Sequence, residues 1–338
     1  MGITAKELAK KMNLSATAVS MALNNKPGVS TQTRQLVVKT AEEYGFDFSK
    51  LKSQNQRAGT VYVIFYKTNN AILSYTPIFD ELFEGIKNEC QKEGLTTRLL
   101  QFYEKTDILE DFFSDIRGSG CIGFILVGTE IKKEICQQFI DLKIPMILLD
   151  TYFESLACTS ILINNTQGMY MSTDYLYSLT QSQPGYLMST YTIPNFVYRQ
   201  EGYYKAIREN GMSVTRSIIH KLSPSIENAM ADMLSIIDQG DALAKCYVAD
   251  NDIIAIGAMK AFKLRGYKIP EDISMIGFDN ISESRIVEPA LTTMDVPRYF
   301  IGKICARQLI FDIDNKNTFH HEKIEIAAKL IKRLSTCN

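Results

Sequence analysis

The chain has 338 residues, 46% hydrophobic and 22% charged, which is enough to fold as two or three globular domains without disulfide support. No stretch approaches the roughly 18 apolar residues of a membrane span, and the first residues lack the apolar run of a signal peptide. The net charge of -1 excludes a strongly basic or acidic protein overall.

That net charge divides unevenly along the chain. Residues 1–60 carry +5, because nine basic residues face four acidic ones, and the remainder carries -6. A basic N-terminal segment on an acidic body predicts contact with a polyanion. The seven cysteines are scattered without C-x-x-C spacing, which predicts reduced thiols in a cytoplasmic protein and argues against a zinc site.

Residues 3–46 predict three short helices, opened by the capping residues Thr4, Ser15 and Ser30. The second helix, Ala16–Leu23, follows a tight turn. Such a pair is typical of a helix-turn-helix whose second helix enters the major groove, although a helical bundle without a nucleic-acid role fits the same spacing. The residues left on the outer side of the second helix are Ala16, Thr17, Ser20 and Met21.

The segment Val-Ser-Met-Ala-Leu-Asn-Asn-Lys-Pro-Gly-Val-Ser, residues 19–30, carries a specific resemblance that extends over the whole of residues 3–46. The segment resembles the DNA-binding head of the lactose-repressor (LacI/GalR) family. The resemblance implies that Ala16, Thr17 and Met21 read bases. The family usually has Arg at the position of Met21, and since Met offers only apolar contact, we expect an atypical operator. The other predicted DNA contacts are phosphate ligands or helix caps: Thr4, Ser15, Ser20, Asn24, Ser30 and Arg34.

Residues 47–59 are predicted to form a hinge or linker between the helix-turn-helix domain, residues 1–46, and the body. In the family this segment usually contains a Pro and a Leu that inserts into the minor groove. The Pro is missing here. Lys50, Leu51 and Lys52 are still predicted to contact DNA, the lysines through phosphates, but a polar linker and a hinge helix fit the sequence equally well.

In residues 60–338, short apolar runs alternate with helical stretches, which predicts an α/β fold with doubly wound parallel sheets. The number of segments predicts two lobes, residues 60–163 with a C-terminal crossover near 290–320, and residues 164–289. Nine strands are predicted: Val61–Tyr66, Leu95–Phe102, Gly123–Val127, Met146–Leu149, Ser160–Ile163, Gly185–Met188, Arg216–His220, Cys246–Ala249 and Ser274–Phe278.

Polar side chains follow several of these strands, where ligands of such folds bind. Asp150, Asn251 and Asp279 are carboxylates and amides of the kind that suits a polyhydroxylated ligand, since each can take two hydroxyl hydrogen bonds. Asp252 and Asn280 are predicted to cap the following helices instead.

The body also resembles the effector domain of the LacI/GalR family, itself similar to periplasmic sugar-binding proteins, with the strongest motifs at residues 250–258, 266–279 and 289–293. The resemblance implies that Arg199, Asn251 and Asp279 bind the effector, with Asp150 and Pro77 at further ligand-side positions. Because the chain has no Trp, ring stacking on a sugar needs another aromatic residue. The candidates are Tyr75, Tyr152, Phe153 and Phe196, although packing within a lobe fits each of them equally well.

Together these features predict a transcriptional repressor that binds a pseudo-palindromic operator as a homodimer. A small-molecule effector, expected to be a sugar, binds between two lobes and controls operator affinity. No catalytic motif, cofactor site, membrane segment or metal cluster is predicted, and the adjacent His320 and His321 lack partner ligands. The alternative is a small-molecule-binding protein of the same fold with impaired DNA binding.

Overall fold

The computed structural model describes residues 3–24, 28–48, 59–68, 78–315, 318 and 320–337. They form a small unit made mainly of residues 1–58, here called the head, and a large one that begins at Gly59, the body. Several predicted contacts lie outside the described residues and stay predictions: Lys50, Leu51, Lys52, Tyr75 and Pro77.

The described part of the head contains three helices, α1 (Ala5–Lys11), α2 (Ala16–Leu23) and α3 (Thr31–Glu43). Each begins where the sequence predicts, because the side chain before it accepts a hydrogen bond from a backbone N–H three residues later. The Thr4 cap is a complete capping box, since the Glu7 side chain accepts from the Thr4 backbone in return. The capping roles predicted for Thr4, Ser15 and Ser30 are confirmed.

An apolar core holds the three head helices together. Leu8, Val19 and Val37, one from each helix, are fully buried in one cluster. Burial of apolar surface is the main force that stabilises so small a unit. The head therefore has a core of its own, as the helical spacing predicts.

The body contains two six-stranded sheets, with orders β2-β1-β3-β4-β5-β11 and β7-β6-β8-β9-β10-β12. All neighbours are parallel except β12, which runs antiparallel to β10. This confirms the predicted doubly wound α/β fold. The strands of the first sheet are β1 (Thr60–Lys67), β2 (Thr96–Tyr103), β3 (Cys121–Val127), β4 (Met146–Leu149), β5 (Thr159–Ile163) and β11 (Lys323–Ile326). Those of the second are β6 (Gly185–Ser189), β7 (Ile219–Leu222), β8 (Cys246–Ala249), β9 (Ser274–Asp279), β10 (Thr292–Asp295) and β12 (Lys329–Ile331).

Helices cover both sheets, so each sheet with its helices forms a lobe with its own core. The first lobe has α4 (Ile78–Lys92), α5 (Leu109–Gly118), α6 (Lys133–Ile140) and α12 (Arg298–Asp314). The second lobe has α7 (Asn165–Thr180), α8 (Pro194–Glu209), α9 (Ile226–Asp238), α10 (Asp252–Leu264) and the short α11 (Glu283–Ile286). In the part of the chain described, no helix is long and apolar enough to cross a membrane.

The chain passes between the lobes three times, after β5, after β10 and after β11. Strand β10 lies within the region predicted as a crossover, yet it pairs with β9 in the second sheet. The reason is a buried tie, because Thr293 Oγ1 of β10 donates a hydrogen bond to the Asp252 carboxylate of α10. The second lobe therefore continues past residue 289, and β12 returns to it after α12 and β11.

One predicted strand is displaced. Residues Val214–Arg216 form a 3-10 turn, and β7 begins only at Ile219. The Arg216 N–H donates to the Ser213 carbonyl, which closes the turn, whereas Ile219 and Leu222 pair with β6. The apolar residues at the end of this segment thus decide where the strand lies.

Candidate functional site

A cavity of about 90 Å³ lies between the two lobes of the body, at the carboxyl ends of the sheets. Four of the residues predicted as effector contacts line it: Asp150, Arg199, Asn251 and Asp279. Three of them follow or end the strands β4, β8 and β9, and Arg199 comes from α8. The strand order changes direction between β1 and β3 in the first sheet and between β6 and β8 in the second. In folds of this kind, ligands bind at such a switch point.

Arg199 is held rigidly at the wall of this cavity. Its Nε donates to Asn165 Oδ1 at 2.8 Å, one terminal nitrogen donates to the Asp250 carbonyl, and the other reaches Asp279 Oδ1 at 3.3 Å. The guanidinium carbon also lies 3.7 Å from the centre of the Phe278 ring. The side chain is only 3% exposed, so the ion pair with Asp279 is buried and each partner depends on the other.

Asp150 links the two lobes. Its carboxylate accepts a hydrogen bond from Thr129 Oγ1 at 2.5 Å within the first lobe and from Asn195 Nδ2 at 2.9 Å across the cleft. Desolvation raises the pKa of Asp150, although these two hydrogen bonds and the Arg199 charge oppose the rise. Sequence reasoning did not identify either residue: Thr129 was overlooked although it lies two residues after the predicted strand that ends at Val127, and Asn195 follows no strand directly.

In the head, the predicted DNA contacts fall into two groups. Ala16, Thr17 and Ser20 share one exposed face of α2. Met21 is half-buried and lies beside Gly28, since a Cβ added to Gly28 would be 3.2 Å from the Met21 sulfur. The side chains of the second group, Thr4, Ser15, Asn24 and Ser30, form hydrogen bonds within the head, and Arg34 also has an interaction partner.

Comparison with known proteins covers both units. The protein-family model for the periplasmic binding protein-like domain matches residues 173–336. The NTD biosynthesis operon regulator NtdR of Bacillus subtilis (strain 168) is 28% identical over 338 positions, covering 98% of this chain and 99% of the relative. The structure of the lac repressor dimer bound to operator and the anti-inducer ONPF matches with a TM-score of 0.69 and 17% identity, covering 100% of both chains. Over its whole length the chain is therefore similar to transcriptional regulators of the LacI type.

The resemblance predicted from the sequence is thereby confirmed. A further structural match is the CelR–cellobiose complex, with a TM-score of 0.73, 20% identity and coverage of 98% of this chain and 99% of the other. These matches show that the regulator shares its fold with these proteins.

The two residues that place carboxylates in the regulator's cleft, Asp150 and Asp279, have unusual backbone conformations. The φ angle is 70° at Asp150 and 104° at Asp279. Residues other than glycine rarely adopt positive φ, and such conformations cost about 1–3 kcal/mol and cluster at ligand-binding sites. The regulator accepts this cost where the two side chains enter the cavity.

The helix cap predicted for Asp252 is supplied by its neighbour Asn251. Asn251 lines the cavity but also caps α10, since its Oδ1 accepts from the Ile254 N–H at 3.0 Å. Asp252 was predicted as a cap, and this is wrong. Its buried carboxylate accepts from the Ile281 N–H at 3.0 Å and from Thr293 Oγ1 at 2.5 Å, and so ties α10 to β9 and β10.

Asn280 is not a helix cap either. Its Nδ2 donates to Asp295 at 2.6 Å, and its Oδ1 accepts a hydrogen bond from Arg333. Both partners come from distant parts of the sequence, so the residue braces the second lobe. A cap needs only the next turn of helix, whereas this role depends on chain folding that local pattern does not reveal.

Burial raises the pKa of Asp252 to about 8, with Asp279 adding to the rise and Arg298 and Thr293 opposing it. A carboxyl group whose pKa is higher in the folded than in the unfolded protein binds its proton more tightly when folded. The free energy of unfolding therefore falls as pH rises from about 4 to about 8. We expect the midpoint of urea unfolding to decrease over this range.

The variant Asp252→Asn tests this expectation, because asparagine resembles the protonated carboxyl group. We expect its unfolding midpoint to depend less on pH, while Asp115→Asn, at an exposed position, keeps the wild-type slope. Urea titrations at pH 5 and pH 8 measure both. Equal slopes for Asp252→Asn and wild type would show that Asp252 does not carry the effect.

The aromatic candidates for sugar stacking separate clearly. Phe196 lines the cavity. Phe153 packs against the core of the first lobe, and the Tyr152 ring lies under Lys323 Nζ at 4.5 Å. Arg298 also lines the cavity, and sequence reasoning missed it because it follows β10, a strand that was not predicted. Among the described residues no group of three or more potential metal ligands is found.

Proposed function

We propose that this regulator binds operator DNA as a homodimer and represses transcription, and that a hydroxylated small molecule in the inter-lobe cleft sets its DNA affinity. The observation that carries the proposal is the meeting of Asp150, Arg199, Asn251 and Asp279 around one cavity. Carboxylates and amides with this arrangement can pair with hydroxyl groups from several directions.

The exposed face of α2 supports the DNA-binding half of the proposal. Thr17 and Ser20 are small and polar, and α2 is the second helix of a helix-turn-helix, which suits entry into the major groove. The excess positive charge of residues 1–60 suits the phosphates. The related lac repressor is a dimer on its operator, and we propose the same two-fold arrangement here, because it pairs two heads with two half-sites.

The cleft supports the effector half. Ile163, Ile193 and Phe196 give it an apolar wall suited to the carbon face of a sugar ring, and the related CelR binds cellobiose. Asn195 of the second lobe and Asp150 of the first are hydrogen-bonded across the cleft. A ligand that replaces this bond acts on both lobes at once, and it changes operator affinity by the difference in its binding to the two states. We propose that effector binding relieves repression.

A second candidate is a small-molecule-binding protein whose head binds DNA weakly. It is favoured by Met21, which lacks the donors of the arginine usual in the family and packs beside Gly28. The two candidates make different predictions for DNA binding, so one experiment separates them.

The experiment measures fluorescence anisotropy of labelled duplexes with the full chain. We expect DNA from upstream of the regulator's own gene to bind on the order of 10³-fold more tightly than random duplex, with an affinity that falls steeply as salt rises. Thr17→Glu is expected to lower the specific affinity tenfold or more. Gln35→Glu adds the same charge on an exposed position of α3 and serves as the matched control. Equal affinity for both duplexes would favour the second candidate.

A further inference from the structure

Arg298 is a buried cation in the wall of the cleft. It is 7% exposed and lines the cavity, and one terminal nitrogen donates to the Asp279 carbonyl. Its Nε is also buried and finds no acceptor among the described residues, nor does any described carboxylate pair with it. A desolvated guanidinium donor without an acceptor is costly, so this group calls for a further partner.

The helix that Arg298 opens adds positive potential at the same place. Helix α12 has 17 residues, its N-cap Pro297 offers no capping side chain, and its first turn holds no acidic residue. Val296 and Ile301, on either side of this helix start, also line the cavity. The Arg298 N–H donates to the Val296 carbonyl, but the helix dipole and the remaining N–H groups of the first turn still make such a terminus a site for anions.

Helix α8 begins at the cleft from the other lobe, with fewer free donors, because Pro194 has no N–H and the Phe196 N–H donates to the Ile193 carbonyl. Its N-cap Ile193 gives no side-chain hydrogen bond, its first turn has no acidic residue, and Ile193 and Asn195 line the cavity. The cleft also contains two carboxylates, and they oppose this positive potential to different extents. Asp279 is already paired with Arg199, and Asp150 accepts its hydrogen bonds from uncharged groups.

We propose that the effector carries one anionic group, a phosphate or a carboxylate, bound by Arg298 and the N-terminus of α12, while its hydroxyl groups contact Asp150 and Asp279. The inference rests on the proposed function, because it takes the cleft as the effector site. A cavity of about 90 Å³ is well above the roughly 10–15 Å³ that one water needs, so it has room for a small ligand.

Titration calorimetry on the full chain tests the inference with matched ligands. The panel is glucose, glucose 6-phosphate and gluconate, then ribose and ribose 5-phosphate, and inorganic phosphate alone. We expect at least one anionic member to bind tenfold or more tightly than its neutral parent. The phosphate and carboxylate arms tell which anion is preferred.

Variants then assign the preference to Arg298. Arg298→Gln is expected to weaken the preferred anion tenfold or more and to remove the preference, whereas Arg298→Lys keeps the charge and retains part of it. Arg285→Gln is the matched control, because Arg285 is exposed and lines a neighbouring pocket but not the cleft. We expect it to leave the affinities unchanged.

Three results would overturn the inference: neutral and anionic ligands binding equally in every pair, an anion preference that survives Arg298→Gln, or a preference abolished by Arg285→Gln. Operator affinity of the same preparations is measured without ligand. Specific DNA binding without an anion preference defeats this inference alone, whereas absence of specific DNA binding defeats the proposed function.

Discussion

Replacing Arg199 with methionine is expected to lower the free energy of unfolding by about 3–5 kcal/mol, the cost of breaking a buried ion pair by removing one partner. The change leaves the Asp279 carboxylate, with 11% of its side chain exposed, without its cation. It also removes the donors to Asn165 and to the Asp250 carbonyl. At low temperature, where the variant stays folded, we expect it to bind operator but not to respond to the effector.

The double variant Arg199→Met with Asp279→Asn is the control for charge. It removes both charges, and asparagine tolerates the positive φ at position 279 better than most residues. We therefore expect it to recover part of the lost stability in urea unfolding, without recovering the effector response. If Asp279→Asn lowered the free energy of unfolding by the same amount in the Arg199→Met protein as in wild type, the two residues would not be coupled.

The sequence predicts best those features that depend on neighbours along the chain. The caps at Thr4, Ser15 and Ser30 need only the following turn of helix, and all three are where the pattern indicates. Asp150 and Asp279 were found by a rule almost as local, that ligand-facing residues follow buried strands. Once the strands are located, the end of each strand points to the cleft.

Prediction fails where a role depends on how distant segments meet. Strand β10 is short and polar, and it belongs to the second sheet because of contacts with β9 and α10 that its own sequence does not reveal. Missing β10 also hid Arg298, which follows it. Asn195 was missed for a related reason, since it joins the site from the start of α8 through a hydrogen bond to Asp150. Thr129 follows β3 by two residues, as Asn251 follows β8, so the strand-end rule could have found it.

Asp252 illustrates a different error. Its place beside a helix start suggests a cap, but Asn251 takes that role, and the Asp252 carboxylate turns inward to β9 and β10. The signal that could have found this is Gly277, where a Cβ would overlap the Asp252 carboxylate. A glycine in the middle of a buried strand often marks a close approach by another group.

The second large effect is expected from Gly202→Ala in α8. A Cβ at this position would overlap the Thr166 carbonyl of α7, which is backbone and cannot turn aside. The two helices must then separate, and overpacking of this kind costs about 1–3 kcal/mol. Helix α7 carries Asn165 and α8 carries Arg199, two residues joined by a hydrogen bond, so we expect effector affinity to fall tenfold or more together with stability.

Gly118→Ala is the matched control, because a Cβ at the end of α5 meets no atom within 4 Å. Alanine is the better helix former by about 0.5–1 kcal/mol, so this variant should be as stable as wild type or slightly more so. Urea unfolding and titration calorimetry compare the two variants directly. Because α7 and α8 together hold the guanidinium of Arg199 against Asp279, a Gly202→Ala protein with wild-type stability and ligand affinity would mean that the close contact of these helices does not position the cleft.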